Sequence, residues 1–362
     1  MSNWTNASAC AEVGSCLEED AADRDDVDYP VHLFPLPVLT GITATCSVLF
    51  VVGIAGNLLT IVVVGKYKDM RTTTNLYLCS MALSDLLIFL CMPLDLYRVW
   101  RYRPWRLGDE LCKLFQFVSE SCTYSAILSI TALSVERYVA ICFPLRAKVL
   151  VTRARVKGVI ALLWSVALCS AGPIFALVGV EHENGTEPWR SGECKATEWA
   201  IRSGLLSLMV WVSSVFFFLP VLCLTVLYSL IGRTLRRRNE NPAAPVSSRD
   251  KSNRQTVKML AVVVLAFVLC WLPFHVGRYL FSKSSEFNSP LITQISEVCN
   301  LISFVLFYFS AAINPILYNI MSKKYRAAAC RLFGIKRTPE RSVSSVANAE
   351  SLAVWYESSG SK

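Results

Sequence analysis

With 362 residues, 54% of them hydrophobic and only 17% charged, and a mean hydropathy of +0.44, the chain is too apolar for an ordinary soluble domain. Its formal charge of +9 is uneven: residues 1–28 carry eight Asp/Glu and one Arg, net −7, leaving +16 on the remainder. That apolar bulk excludes a nucleic-acid binder, and the basic excess points instead to anionic membrane lipid and a partner protein at one membrane face.

The first segment, residues 1–38, reads as a flexible acidic tail ending in Phe34-Pro35-Leu36-Pro37. It lacks the apolar core of a cleavable signal peptide, so the first span must itself direct insertion. Asn3-Trp4-Thr5 and Asn6-Ala7-Ser8 are glycosylation sequons, as is Asn184-Gly185-Thr186 further on. Cys10 and Cys16 could pair there, although their spacing alone proves little.

Residues 39–322 hold seven mostly apolar windows, beginning near Leu39, Leu76, Leu111, Val156, Gly204, Val257 and Ile292. Each has the roughly 20 residues needed to cross about 30 Å of hydrocarbon. Loops after spans one, three and five carry Lys66, Lys68, Arg71, Arg146, Lys148, Arg153, Arg155, Arg233 and Arg236 to Arg238, which the positive-inside rule places in the cytoplasm. The N-terminus is then extracellular. The fold class is an all-α membrane protein, a seven-helix bundle.

An ionisable group in mid-membrane costs about 3 kcal/mol on insertion scales, so each one kept is a functional candidate. Asn57 in span one, Asp85 in span two and Asn314 in span seven sit near mid-helix or toward the inner end, and are expected to face one another. Toward the outer end of span two lie Asp95 and Arg98. On span three, Gln116 and Glu120 stand one and two turns below Cys112, and Glu136-Arg137-Tyr138 closes the helix at a basic loop. An ion pair there can be broken by a proton or by a partner entering from the cytoplasm. Cys112 and Cys194 face an oxidising compartment and can bridge.

Prolines 93, 173, 220, 273 and 315 each remove a backbone donor inside a span, and each can bend its helix. Residues 232–254, rich in Arg, Asn, Pro and Ser, read as a disordered loop. In span six, Trp271, Phe274, His275 and Arg278 share one face above Pro273. Arg278 would be costly unpaired, so it is expected to pair with Glu120 across an outer cavity and divide it. Phe304, Phe307 and Tyr308 of span seven, with Phe274, would form an apolar compartment beside that pair. A ligand with a cationic end, competing for Glu120, and a greasy appendage fits such a site.

Residues 323–334 alternate basic and apolar positions as an amphipathic eighth helix on the inner face would, with Cys330 a candidate for palmitoylation. Residues 335–362 form a Ser-rich cytoplasmic tail open to phosphorylation. The sequence has no Gly-rich phosphate loop, no metal-spaced cluster among its three His and no nucleophile beside a base, so no enzyme, cofactor or metal is expected.

Asn57, Leu83 to Asp85, Cys112 with Cys194, Glu136-Arg137-Tyr138, Trp164, Pro220 with Tyr228, Cys270-Trp271-Leu272-Pro273 and Asn314-Pro315-Ile316-Leu317-Tyr318 together resemble the rhodopsin-like (class A) G-protein-coupled receptors, from about Leu39 to Phe333. Glu136 stands where Asp is commoner in that family, and either carboxylate can hold Arg137. Ala126 stands where many relatives place a Ser, which argues against a sodium ion at Asp85. Ser119 replaces the amine-binding Asp of aminergic relatives, and Tyr308 the retinal-holding lysine of visual pigments.

Within the class, Phe50 to Asn57, Leu76 to Leu96, Cys112 to Tyr124, Gly179 to Pro188 and Lys258 to Lys283 are similar to a receptor for an acylated peptide hormone. The resemblance implies Glu120 and Arg278 as a polar pair in the ligand site, Asp95 and Gln116 as neighbours, and Phe274, Phe304 and Phe307 near the acyl chain. It implies a plasma-membrane receptor coupling to Gq/11 and phospholipase C, active to some degree without hormone and regulated by receptor kinases and arrestin. Receptors for motilin, neurotensin or neuromedin stand as the alternative. Ligand would shift the packing of Trp271, letting span six swing about Pro273 and freeing Arg137 from Glu136 to meet Tyr228 and the G protein. Asp85, Asn314, Pro315 and Tyr318 belong to the same switch.

Overall fold

The computed structural model describes residues 34–101, 103–182, 191–239, 248–287, 290–321 and 323–334. Asn3, Asn6, Cys10, Cys16, Asn184 and the 335–362 tail lie outside these residues. Among them, seven helices are long and apolar enough to cross a membrane. The spans fall in the helices Leu36–Lys66, Thr73–Trp100, Asp109–Cys142, Arg153–Ala171, Leu205–Asn239, Ser248–Phe287 and Pro290–Met321.

Local chemistry sets several boundaries. Prolines open the first helix, where a missing N–H costs nothing. The hydroxyls of Thr72 and Thr152 accept from the backbone N–H groups of Asn75 and Arg155 and so cap the second and fourth helices. Pro93, Pro220, Pro273 and Pro315 lie inside helices. Pro173 does more than bend its span: the fourth helix stops at Ala171, and a separate turn of helix, Ile174–Leu177, follows the proline.

The third span is the axis, packed against the second, fourth, fifth and sixth, while the first packs on the second and seventh. One core joins Ile127, Ile130 and Leu133 to Phe217, Leu224, Phe267 and Trp271 from spans five and six. Another joins Ile42 and Cys46 to Phe89, Met92 and Tyr308. The outside of the bundle is apolar too: Val51, Leu90, Trp211 and Leu219 are each more than 60% exposed. Such faces are stable against lipid and not against water.

The expected loop at 232–254 is corrected by the structure. The fifth helix continues to Asn239 and the sixth starts at Ser248, so only 240–247 remain between them, outside the described residues. Ile231 and Leu235 bury against Ile141, and the Arg238 guanidinium donates to the Ile141 carbonyl at 2.7 Å. This seam keeps the fifth helix wound beyond its apolar span, and it also satisfies a carbonyl in the last turn of the third helix.

At one end of the bundle two antiparallel strands, β1 Val178–Glu181 and β2 Glu193–Ala196, form a hairpin with Val180 opposite Cys194. Cys194 is disulfide-bonded to Cys112, with Cα atoms 5.8 Å apart. Asp109 fixes the other strand by accepting from the Val180 N–H at 2.9 Å. At the opposite end the eighth helix, Lys323–Leu332, buries Tyr325 and Ala328 against Val63 and Met70. The Tyr325 and Thr60 hydroxyls share a hydrogen bond of 2.9 Å, and burial pushes the Tyr325 phenol above its ordinary pKa. Cys330 is half-buried on this helix.

Candidate functional site

A cavity of about 1020 Å³ opens at the disulfide end, bounded by spans two, three, five, six and seven and by the hairpin. A concave volume of this size with few, placed polar groups is what a ligand site requires. Gln116, Glu120, Arg278 and Phe304 all reach its wall.

Glu120 and Arg278 on the cavity wall belong to a four-residue polar knot. Arg278 Nη1 donates to Glu120 Oε1 at 3.4 Å and to Ser213 Oγ at 3.0 Å. The Tyr124 hydroxyl donates to the same Glu120 oxygen at 2.6 Å. The guanidinium also lies over the Phe274 ring, 4.9 Å from its centroid. Spans three, five and six are thereby tied through the Arg278 guanidinium, and neither Glu120 nor Arg278 is left as an isolated charge. Tyr124 and Ser213 were missing from the sequence reading. Tyr124 was within reach, standing four residues after Glu120 on the same helical face. Ser213 carried no local signal, because it meets Arg278 only through tertiary packing.

Asp95 does not line the cavity. It is buried behind the wall, where it accepts from the Tyr308 hydroxyl at 2.6 Å and pairs with Arg98 at 3.3 Å. Its partner Arg98 does line the cavity and lies 5.7 Å from the Phe115 ring centroid. The phenylalanines are divided as well. Phe304 faces the large cavity and packs edge-on to Tyr308. Phe274 lines a separate space of about 20 Å³ beneath the knot, together with Ile127, Phe216, Phe217 and Trp271. Phe307 lines neither and sits edge-on to Trp271, as Phe274 does from its other neighbour position.

Deeper in the bundle Asn314 Nδ2 donates to Asp85 Oδ2 at 3.1 Å. Asn57 turns instead to backbone, donating to the carbonyls of Gly53 at 3.0 Å and Ala311 at 3.2 Å. A space of about 30 Å³ lies between Asp85, Ala126, Trp271 and Asn314. Among the described residues no three His, Cys, Asp or Glu side chains gather as metal ligands. Pro273 and Pro315 lie in their helices, and the Tyr318 side chain is outside the described part.

Near the eighth-helix end Glu136 pairs with Arg137 and accepts from the Thr73 hydroxyl at 2.8 Å. Glu136 Oε2 and Arg137 Nε are buried with no hydrogen-bond partner. Such unmet groups are costly, so this ion pair is incompletely satisfied. Tyr228 shares a 3.0 Å hydrogen bond with Ser134, one turn before Arg137 on the same span.

A family profile described as 7 transmembrane receptor (rhodopsin family) matches residues 56–318. The chain belongs to that family: it is a G-protein-coupled receptor and not an enzyme, and it crosses the plasma membrane several times. It is 68% identical over 346 residues to growth hormone secretagogue receptor type 1 of Homo sapiens, covering 95% of this chain and 94% of the relative. The Sus scrofa receptor of the same name is 69% identical over 343 residues, covering 94% and 93%. The motilin receptor of Homo sapiens is 48% identical over 351 residues, covering 85% and 84%.

Proposed function

We propose that this chain is a receptor for an acylated peptide hormone of the ghrelin type, signalling through Gq/11 to phospholipase C, with output in the absence of hormone. The disulfide end with its acidic tail is extracellular, and the arginines of residues 236–238 face the cytoplasm. Receptor kinases and arrestin act on the Ser-rich tail, and anionic lipid meets the basic inner loops and eighth helix.

The observation that carries the reading is the knot of Glu120, Arg278, Ser213 and Tyr124, whose charged pair lies on the wall of a cavity that Phe304 also lines. Charge and apolar surface side by side suit a peptide bearing a fatty chain. Trp271 lies directly below, between Phe267, Phe274 and Phe307. A ligand that presses on the knot from the cavity moves Phe274, over which Arg278 lies, then Trp271, and so biases the bend at Pro273. Its effect is bounded by its differential affinity for the two arrangements.

The test is nucleotide exchange on a purified Gq heterotrimer with the receptor in lipid. Acylated ghrelin is expected to accelerate exchange and the unacylated peptide to leave it at the basal rate. Stimulation by motilin or neuromedin U alone would replace this reading with a related peptide receptor, and no stimulation by any would end it.

The same assay measures the Glu136–Arg137 pair. Glu136→Ala removes Arg137's partner, and a shift of about 1 kcal/mol toward the open arrangement raises the open-to-closed ratio about fivefold. Basal exchange is expected to rise accordingly at equal receptor amount. Basal exchange no higher than the parent's would show that Glu136 does not restrain the receptor.

A further inference from the structure

The carboxylates on the cavity wall are not equivalent. Glu120 Oε1 already takes hydrogen bonds from Arg278 and Tyr124. Glu193 is held by Arg103 at 3.1 Å and Lys195 at 2.8 Å, and Glu198 by Arg202 at 2.7 Å. Glu181 accepts from the Glu198 backbone N–H at 3.2 Å. Glu297, on the first turns of span seven, also lines the cavity, and no described residue donates a hydrogen bond or supplies a cation to it. The cations of the wall are all taken: Arg98 by Asp95, Arg103 and Lys195 by Glu193, Arg278 by Glu120.

A cationic ligand group at Glu120 would have to share the carboxylate with Arg278, whose guanidinium lies 3.4 Å from Oε1 and repels a second cation. At Glu297 it displaces only water. The neighbours extend the case. Glu297, Asn300, Leu301 and Phe304 all line the cavity and recur at i, i+3, i+4 and i+7, so they form one stripe down span seven. Seven residues of helix separate Glu297 from Phe304 by about 10 Å along the axis. The stripe thus offers a negative charge at the mouth, an amide one turn down and an aromatic ring at depth.

We infer that Glu297 is the residue that recognises the cationic group of the ligand, an ammonium or guanidinium carried about 10 Å from its apolar group, while Glu120 stays engaged with Arg278. This deepens the acylated-peptide reading and rests on it. It also moves the ligand's cation from Glu120, where the sequence alone would put it, to the opposite wall.

The experiment is competition binding to membranes at fixed salt with acylated ghrelin, the same peptide N-acetylated, and the same peptide with its Lys and Arg side chains neutralised. For Glu297→Gln, affinity for acylated ghrelin is expected to fall about tenfold, the scale of a charge-assisted hydrogen bond in a partly desolvated site. Against one modified peptide, parent and variant should bind within twofold of each other; that peptide identifies whether the amino terminus or a basic side chain supplies the cation. A loss of equal size against all three peptides would mean that Glu297 only packs the wall, and unchanged affinity for acylated ghrelin would also overturn the inference. If the parent receptor bound none of the three, the acylated-peptide reading itself would have failed, which is a separate result.

Discussion

Arg278→Ala is expected to lower the potency of the acylated peptide about 30- to 100-fold while leaving most of the receptor at the cell surface. The substitution does more than remove a charge from the cavity. It strips Glu120 of its cation, leaving the carboxylate, 16% exposed at the side chain, with the Tyr124 hydroxyl alone. It also removes the hydrogen bond that ties Arg278's helix to Ser213, and it exposes the Phe274 face over which the guanidinium lay. Removing one partner of a fully buried pair costs about 3–5 kcal/mol, and the partial exposure of this one reduces that to about 2–3 kcal/mol. Arg278→Lys should recover only part of the loss, because one ammonium cannot hold Glu120 and Ser213 with the fixed geometry of a guanidinium fork. Glu120→Gln should be milder than either, since a neutral amide oxygen still accepts from Arg278 and Tyr124. Concentration–response curves for calcium release, read beside surface labelling, give the comparison. Potency within threefold of the parent for Arg278→Ala would remove the knot from the ligand site.

The seven spans are legible in the sequence because length and apolarity are properties of each segment alone, and the Cys112–Cys194 bridge because its two residues face the same compartment. Pairings between spans divide differently. Glu120 with Arg278 and Asp85 with Asn314 follow from the cost of an unpaired charge or amide in a poorly hydrated bundle, which leaves few candidate partners. Asp95 with Tyr308 does not follow, because a tyrosine has no charge that demands a partner and its direction depends on how span seven is rotated. The same limit hides Ser213, and it separates Phe274 from Phe304 although both stand on the expected helical faces. The 232–254 segment misleads for another reason. Its composition is that of a solvated loop, but composition does not register that Ile231, Leu235 and Arg238 share a seam against the end of span three.

Gly53→Ala tests the packing behind the site, and it is expected to destabilise the detergent-solubilised receptor by about 2–3 kcal/mol. A Cβ added at Gly53 would lie 2.1 Å from the Phe89 ring, far inside van der Waals contact. Phe89 cannot simply turn aside: it is fully buried, set edge-on to Phe50 and packed beside Tyr308. Tyr308 in turn holds Asp95, and Asp95 holds Arg98 on the cavity wall. A methyl group on span one therefore pushes on a chain of contacts that ends at the cavity wall. Gly41→Ala on the same helix is the control, because nothing lies within 4 Å of its added Cβ and only the gain in helix propensity, up to about 1 kcal/mol, remains. Phe89→Leu should relieve the clash, so that the double variant Gly53→Ala with Phe89→Leu is more stable than the two single losses predict by about 1 kcal/mol or more. Thermal unfolding followed by thiol exposure measures all four proteins. Additive losses in that cycle would mean that spans one and two do not meet through Phe89, and the route from Gly53 to the cavity wall would fall with them.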